Sequence, residues 1–254
     1  MSLLAAIILG IVQGLTEFFP ISSSAHLELA KLIFGMGKVP VMFDLACHLG
    51  TLAALTWFFK TEILRLFAKD RGKLSYLFIA LLPLIPCYFL LAPLRKLVSE
   101  PQFLGFFLML TGGILLLGQK VRVKKRKGLL RDVLLIGTMQ AAALIPGISR
   151  SASTISAAQV LGWNSKDAVR FSFLLAIPTI IGGNLLEMQK LWRGKELQHI
   201  MNHNCLVGFA VAFLVGMLVI RFAISWLEKG NLKLFAWYCL GLGILANLFL
   251  FVKL

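Results

Sequence analysis

The chain has 254 residues, of which 59% are hydrophobic and only 15% charged, with a mean hydropathy of +0.86. A soluble domain is nearer half apolar and about a quarter charged, so this composition fits a bilayer rather than water as its solvent. A net charge of +15 would suggest nucleic acid in a soluble chain. Here the basic residues cluster at the ends of apolar runs, as membrane topology signals do, which sets nucleic acid aside.

Residues 2–34 begin apolar, break at Phe19-Pro20-Ile21-Ser22-Ser23-Ser24, and resume as a shorter amphipathic stretch. Neither half is long enough to cross a bilayer alone. A polar, Pro-broken backbone at membrane depth is tolerated only inside protein or along a cavity. The segment therefore predicts a re-entrant helical hairpin. Its first fifteen residues lack the basic start and cleavage site of a signal peptide, and read as mature protein. Three spans follow at 41–59, 74–94 and 103–118, given that a helix needs ~20 apolar residues and tolerates ~17. Residues 129–162 predict a second hairpin, broken at Pro146-Gly147-Ile148-Ser149-Arg150-Ser151. Spans at 171–187, 205–227 and 232–252 complete the chain. The expected fold is an all-α polytopic membrane protein with about six transmembrane helices plus two re-entrant hairpins. Cys47, Cys87, Cys205 and Cys239 form no C-x-x-C pair and read as small buried hydrophobes.

The two broken regions are related by a shift of half the chain. Gly10 falls on Gly137, Gln13 on Gln140, Ile21 on Ile148 and Ser22 on Ser149. Ser24 falls on Ser151, Ala25 on Ala152, Ala30 on Ala157 and Gly35 on Gly162. Each hairpin precedes three spans, and three is odd, so the second copy must be inverted. Residues 1–118 and 129–254 are then two inverted repeats of one membrane domain, an arrangement that places sites near the bilayer midplane at interrupted helices.

Loop 60–73 carries Lys60, Arg65, Lys69, Arg71 and Lys73. Loop 119–131 carries Lys120, Arg122, Lys124, Lys125, Arg126, Lys127 and Arg131. Both fall on one side in this topology, hence the cytoplasm. Loop 95–102 has only Arg95 and Lys96 and is external, as are both termini. Loop 188–204, with three basic residues, fits the rule least well.

The hairpin tips should meet inside the membrane. Each break precedes a helix start, where free backbone N–H groups bind anions. Two opposed ends would form a phosphate cradle, with Ser22, Ser23, Ser24, Ser149, Ser151, Ser153 and Thr154 as hydroxyl donors. Arg150 adds a planar fork that matches phosphate oxygens. Gln13 and Glu17 lie i, i+4 on one helix face, with His26 just beyond the break. An acid, a histidine, an arginine and hydroxyls together suit phosphoryl transfer. Capping alone would explain the serines one by one. Glu17 and Arg150 are intramembrane charges, which favours function. Asp44, His48 and Glu187 are also ionisable, with structural pairing an equal reading.

The run Gln13-Gly14-Leu15-Thr16-Glu17-Phe18-Phe19-Pro20-Ile21-Ser22-Ser23-Ser24-Ala25-His26 resembles a signature of the undecaprenyl-diphosphate phosphatases, the bacitracin-resistance family. Pro146-Gly147-Ile148-Ser149-Arg150-Ser151-Ala152-Ser153-Thr154 resembles its second, and Phe171–Pro178 a third. The resemblance implies hydrolysis of undecaprenyl diphosphate to undecaprenyl phosphate, recycling the lipid carrier of peptidoglycan synthesis. It implies the bacterial cytoplasmic membrane, a site open to the outer face, and a divalent cation, Mg2+ or Ca2+. Its acidic pair maps to Gln13 and Glu17, the metal positions, and its catalytic serine, histidine and arginine to Ser23, His26 and Arg150. Ser22, Ser24, Ser149, Ser151 and Thr154 are the expected phosphate-binding set. Whether Ser23 or water is the nucleophile is left open. The chain departs from the family pattern at Gln13, often Glu, at Ala25 and Ala152, often Gly, and at Arg170, often Glu. Expected partners are a polyprenyl diphosphate lipid and membrane lipids, with a homodimer allowed for. A transporter or flippase of polyprenyl phosphates is the alternative that broken helices and an inverted repeat would also suit.

Overall fold

The structure is a computed structural model that describes residues 1–98, 100–121, 128–194 and 203–253. No strand occurs among them. Helix α1, Leu3–Thr16, starts where Ser2 Oγ accepts the Ala5 N–H at 3.2 Å, an N-cap. It ends at the Pro20 break, and α2, Ser23–Ile33, folds back against it. Helix α3, Val41–Phe58, follows Pro40 and is the first span. Helices α4, Lys60–Ala68, α5, Arg71–Leu81, α6, Leu84–Leu90, and α7, Ala92–Val98, lead to α8, Leu104–Lys120. The second broken pair is α9, Leu129–Ala141, and α10, Arg150–Val160. The chain closes with α11, Ser165–Arg193, α12, His203–Glu228, and α13, Lys233–Lys253.

Six stretches among the described residues are long and apolar enough to cross a membrane: Val41–Phe58, Arg71–Leu90, Pro101–Lys120, Ser165–Arg193, His203–Glu228 and Lys233–Val252. They match the six expected spans, and the protein is an all-α polytopic membrane protein. Details differ. The expected loop 60–73 holds the short helix α4 and the start of α5. The second span is interrupted at Pro83, which has no N–H to offer the helix ladder. The fourth is a 29-residue helix that runs past both expected ends. Of the basic loop residues, Arg122, Lys124, Lys125, Arg126 and Lys127 lie outside the described residues, as does Lys195 of loop 188–204. None of the four cysteines is in a disulfide, and three of them are buried.

Apolar helices in lipid associate through close packing at small residues. A methyl at Gly10 would stand 3.1 Å from the Gly208 carbonyl oxygen, and one at Gly14 3.0 Å from that of Ala212. Helices α1 and α12 therefore run side by side and parallel. Gly137 of α9 meets Ala80 of α5 even more closely, where a methyl would overlap the Ala80 carbonyl oxygen. Gly105 faces Gly243 and Gly112 faces Ala236, so α8 and α13 run antiparallel. Phe173 of α11 packs between Phe18 and Phe59, at 6.3 and 6.4 Å, tying the first hairpin tip to α3 and α11. Leu218, Trp237 and Phe251 point outward, as side chains facing acyl chains must.

Candidate functional site

The first hairpin turns at Ser22, the only non-glycine residue with positive φ among those described (φ 69°). Such a backbone is strained for a residue with a Cβ, and it persists only when its surroundings impose it. His26 supplies part of that constraint. Its Nδ1 donates to the Ser22 carbonyl at 2.8 Å, and its Nε2 accepts from the Tyr238 hydroxyl, also at 2.8 Å. The carbonyl can only accept, which fixes the tautomer. Ser22 makes no side-chain cap on α2; its Oγ lies 3.2 Å from Ser24 Oγ. The second tip differs. There Gly147 takes the positive φ (96°), and Ser149 Oγ caps α10 by accepting the Ala152 N–H at 3.2 Å.

Glu17 joins the two tips. Its Oε1 accepts from Arg150 at 2.8 Å. Its Oε2 accepts from the Ser23 hydroxyl at 2.6 Å and from Gln13 Nε2 at 3.0 Å. His48 Nδ1 stands 3.6 Å from Oε2 and 2.8 Å from Gln13 Nε2. The Gln13 amide also donates to Thr51, while its Oε1 is buried with no hydrogen-bond partner. The Glu17 and Arg150 side chains are 6% and 20% exposed. A pair this well buried is costly to break from one side, by about 3–5 kcal/mol, so each residue holds the other in place.

Glu17, Ser23, His48 and Arg150 of this group line a cavity of about 450 Å³. Glu17, Ser22, Ser23, Ser24, Ser149, Arg150 and Ser151 line it, so the acid, the arginine and these hydroxyls share one space. Four expected members stand elsewhere, the first being Gln13, which is fully buried behind Glu17 and does not line the cavity. His26 does not line the cavity, because its ring is stacked on Tyr238 at 5.7 Å. Thr154 points behind Arg150, bonding the Arg150 carbonyl at 3.0 Å and the Ser172 hydroxyl. Ser153 is turned back on its own helix, donating to the Ser149 carbonyl at 3.0 Å. The cradle of two open helix ends is likewise one open end and one closed by its own serine.

Other residues complete the cavity: Asp44 and His48 on α3, Tyr88 and Arg95 beyond the Pro83 break, Gln140 on α9, and Thr179, Asn184 and Glu187 on α11. Gln140 was marked in the sequence only as the repeat counterpart of Gln13. Tyr88, Arg95, Thr179 and Asn184 carried no motif. The i, i+4 pair Asp44 and His48, on one face of a span, was the signal that α3 faces the site. Arg170, an unusual residue for the family pattern, is remote from the cavity. It bridges Glu62 and Glu228, each at 3.0 Å, at the other end of the bundle.

Fold and site together define a polytopic helical membrane protein whose broken helices bring a carboxylate, a hydroxyl and a guanidinium into one buried centre. The family model described as Bacitracin resistance protein BacA matches residues 6–245, and the chain belongs to this family. An undecaprenyl-diphosphatase of Protochlamydia amoebophila is 40% identical over 254 residues, covering 98% of this chain and 99% of the relative. One of Methanococcus vannielii is 40% identical, over 96% of this chain and 97% of its own. Undecaprenyl-diphosphatase 4 of Bacillus thuringiensis is 35% identical, over 96% of each.

Proposed function

We propose that the chain hydrolyses undecaprenyl diphosphate to undecaprenyl phosphate and inorganic phosphate, recycling the lipid carrier of cell-wall synthesis and so conferring bacitracin resistance. The observation that carries the chemistry is Glu17, held between the Ser23 hydroxyl and the Arg150 guanidinium. The Ser23 hydroxyl, which donates to the buried Glu17 carboxylate at 2.6 Å, stands as a nucleophile stands to its base, and this supports the reading. In this reading Ser23 Oγ attacks the terminal phosphorus and its proton passes to Glu17. The bond to the bridging oxygen breaks, and prenyl phosphate leaves, taking the proton from Glu17 and so restoring the base. Water then attacks the phosphoserine, giving one proton to Ser23 and releasing phosphate. Arg150 stabilises the charge that builds on the phosphoryl oxygens. Ser22, Ser24 and the uncapped first turn of α2 hold those oxygens. His26 is a positioning residue that fixes the Ser22 tip.

The residues fit a divalent cation. Glu17 would hold it and, once the Gln13 amide is turned so that Oε1 rather than Nε2 faces the carboxylate, so would that oxygen, which has no hydrogen-bond partner; hard cations take such oxygen ligands. When bound, the cation would neutralise phosphate charge.

We read the chain as two inverted repeats, 1–118 and 129–254, in the cytoplasmic membrane, with the cavity open to the outer face. The equivalent contacts Gly10 with Gly208 and Gly137 with Ala80, and the antiparallel α8 and α13, support the inversion. The cavity is lined by the start of α3, by α6 and by the second half of α11, the ends opposite the basic segment at 60–73. That supports the outward opening. Detergent-purified protein should release inorganic phosphate from a long-chain prenyl diphosphate when Mg2+ or Ca2+ is present, without a second compartment. Absence of release, with movement of the lipid across liposomes, would favour a carrier instead.

A further inference from the structure

The second hairpin and the helix beside it carry two buried amides that the chemistry above does not use. Gln140 and Asn184 line the cavity at 1% and 8% exposure, and Gln140 Nε2 and Asn184 Nδ2 have no hydrogen-bond acceptor. An unpaired buried donor is costly, about 1–3 kcal/mol, and native structures keep few without a reason.

Comparison with the first hairpin supplies the reason. Gln13 and Gln140 are equivalent in the half-chain shift. Gln13 donates to Glu17, four residues on. The residue four on from Gln140 is Leu144, so that amide has no carboxylate to serve. Thr179, whose hydroxyl hydrogen also serves the Leu175 carbonyl at 2.7 Å, lies 3.2 Å from Gln140 Oε1, and with the amide set this way its N–H edge is left for the cavity. The carboxylates lining the cavity each have a cation beside them. Glu17 has Arg150, Asp44 has Lys31 at 2.7 Å, and Glu187 has Lys190 at 2.5 Å. An anion entering this space meets free donors and acids that each already face a cation, although Lys31 is shared between Asp44 and Glu28.

The spacing suits a diphosphate. Arg150 reaches α11 at the Ala176 carbonyl (3.5 Å), and Gln140 reaches it at Thr179. Three residues of helix rise about 4.5 Å, within the span of the outer oxygens of two phosphoryl groups that share a bridge. Asn184 lies five residues beyond Thr179 on the same helix and lines the same cavity.

We propose that Gln140 and Asn184 form a second oxyanion subsite, one that grips the phosphate remaining on the lipid while Arg150 and Ser23 act on the terminal one. This rests on the hydrolase reading for the order of the two phosphates. The subsite should therefore set affinity for both substrate and prenyl monophosphate product. In full-length protein in detergent, Asn184→Leu and Gln140→Leu should each raise KM and the inhibition constant of prenyl monophosphate by roughly tenfold or more, the scale of a lost hydrogen bond to a charged group. The value of kcat should change far less. Asn184→Asp keeps the shape, so it folds, and places a negative charge against the phosphate; it should weaken both more than Leu does. Unchanged KM and inhibition in all three variants, or tighter binding in Asn184→Asp, would overturn the subsite. A fall in kcat alone would do the same. A wild type that releases no phosphate defeats the hydrolase reading instead. Direct binding of prenyl monophosphate to wild type and to Asn184→Asp then still decides the subsite, which stands if the Asp variant loses binding and falls if it does not.

Discussion

Arg150 donates to Glu17 Oε1 at 2.8 Å, linking two residues 133 apart and fastening the first turn of α10 to the tip of the first hairpin. Neither residue is where a soluble protein would put it. Glu17 is buried and Arg150 half-buried among apolar helices, and each neutralises the other. The pair is therefore structural and chemical at once, which shapes how it must be tested. Removing either side chain outright would leave a buried charge unpaired and confuse folding with chemistry.

Arg150→Lys avoids that. Lysine keeps the charge and the stem but loses the planar fork that bonds Glu17 and still faces phosphate. The variant should purify with normal yield and monodispersity and lose ~10²-fold or more in phosphate release, the scale of one lost preorganised donor. If Arg150 were only a snorkelling cation, lysine would serve as well. Turnover near wild type would remove the catalytic assignment.

The metal proposal predicts an asymmetry between two neighbours. Glu17→Gln removes both the base and the charged ligand, so hydrolysis should fall by ~10²–10⁴-fold and stay low at any Mg2+ or Ca2+ concentration. Gln13→Glu should keep activity and need less cation, because it adds a negatively charged oxygen where Gln13 Oε1 now lacks a partner. Recovery of Glu17→Gln at high cation concentration would remove Glu17 from metal binding.

The breaks in the helices were legible because Pro20 and Pro146 interrupt apolar runs too short to cross a bilayer. Glu17 and Arg150 were legible because charges at that depth favour function, and Ser23 because it falls in the same broken run. What escaped is what depends on side-chain direction. His26 lies one turn from Ser22 in sequence, but the aromatic face of Tyr238, 212 residues away, draws its ring out of the cavity. Ser22 and Ser149 look equivalent as letters, yet their neighbours differ. Gly147 takes a positive φ without strain and leaves Ser149 free to cap its helix. The half-chain shift sets Pro20 against Gly147, and the proline ring holds φ negative. The first tip therefore makes its left-handed turn at Ser22 instead. The cavity wall from α11 has no motif because a helix stripe of Thr179, Gly183, Asn184 and Glu187 reads as ordinary span sequence.

The new place of His26 leads to its own prediction. If the ring works by holding the Ser22 carbonyl, a different donor in the same position should suffice. His26→Ala should lose activity on the order of 10²-fold, as small misplacements of a reactive group do. His26→Asn, whose amide can donate where Nδ1 does, should recover most of the rate. Tyr238→Phe removes only the outer bond and should stay near wild type. An Asn variant as inactive as Ala, with the same hydrogen exchange at the first turn of α2 as wild type, would mean the ring itself takes part in the reaction.

The close helix contacts predict where a single methyl matters. Gly137→Ala would drive a carbon into the Ala80 oxygen, a backbone atom that cannot swing aside. Gly113 has nothing within 4 Å of the same added atom. Overpacking typically costs about 1–3 kcal/mol, so Gly137→Ala should lower the detergent melting temperature clearly. Gly113→Ala should leave it unchanged or raise it slightly, since alanine is the better helix former. Equal melting of the two variants would show that α5 and α9 do not meet at this point.

Topology can be tested with the same chain. The basic residues Lys60, Arg65, Lys69, Arg71 and Lys73 mark one end of the bundle, and the cavity lies toward the other. By the positive-inside rule the basic end is cytoplasmic. Arg170 bridges Glu62 of that end and Glu228, the last residue of α12, which places Lys229 on the same side. Glu100, between α7 and α8, falls on the outside. In a background with the four native cysteines replaced by alanine, single cysteines at Lys69 and Lys229 should resist an impermeant thiol reagent in intact cells. They should react once the membrane is permeabilised, whereas a cysteine at Glu100 should react without that step. Labelling at Lys69 and Lys229 from outside, with protection at Glu100, would turn the whole bundle over. The cavity would then open to the cytoplasm, where a hydrolase acting on carrier lipid at the outer face could not reach its substrate.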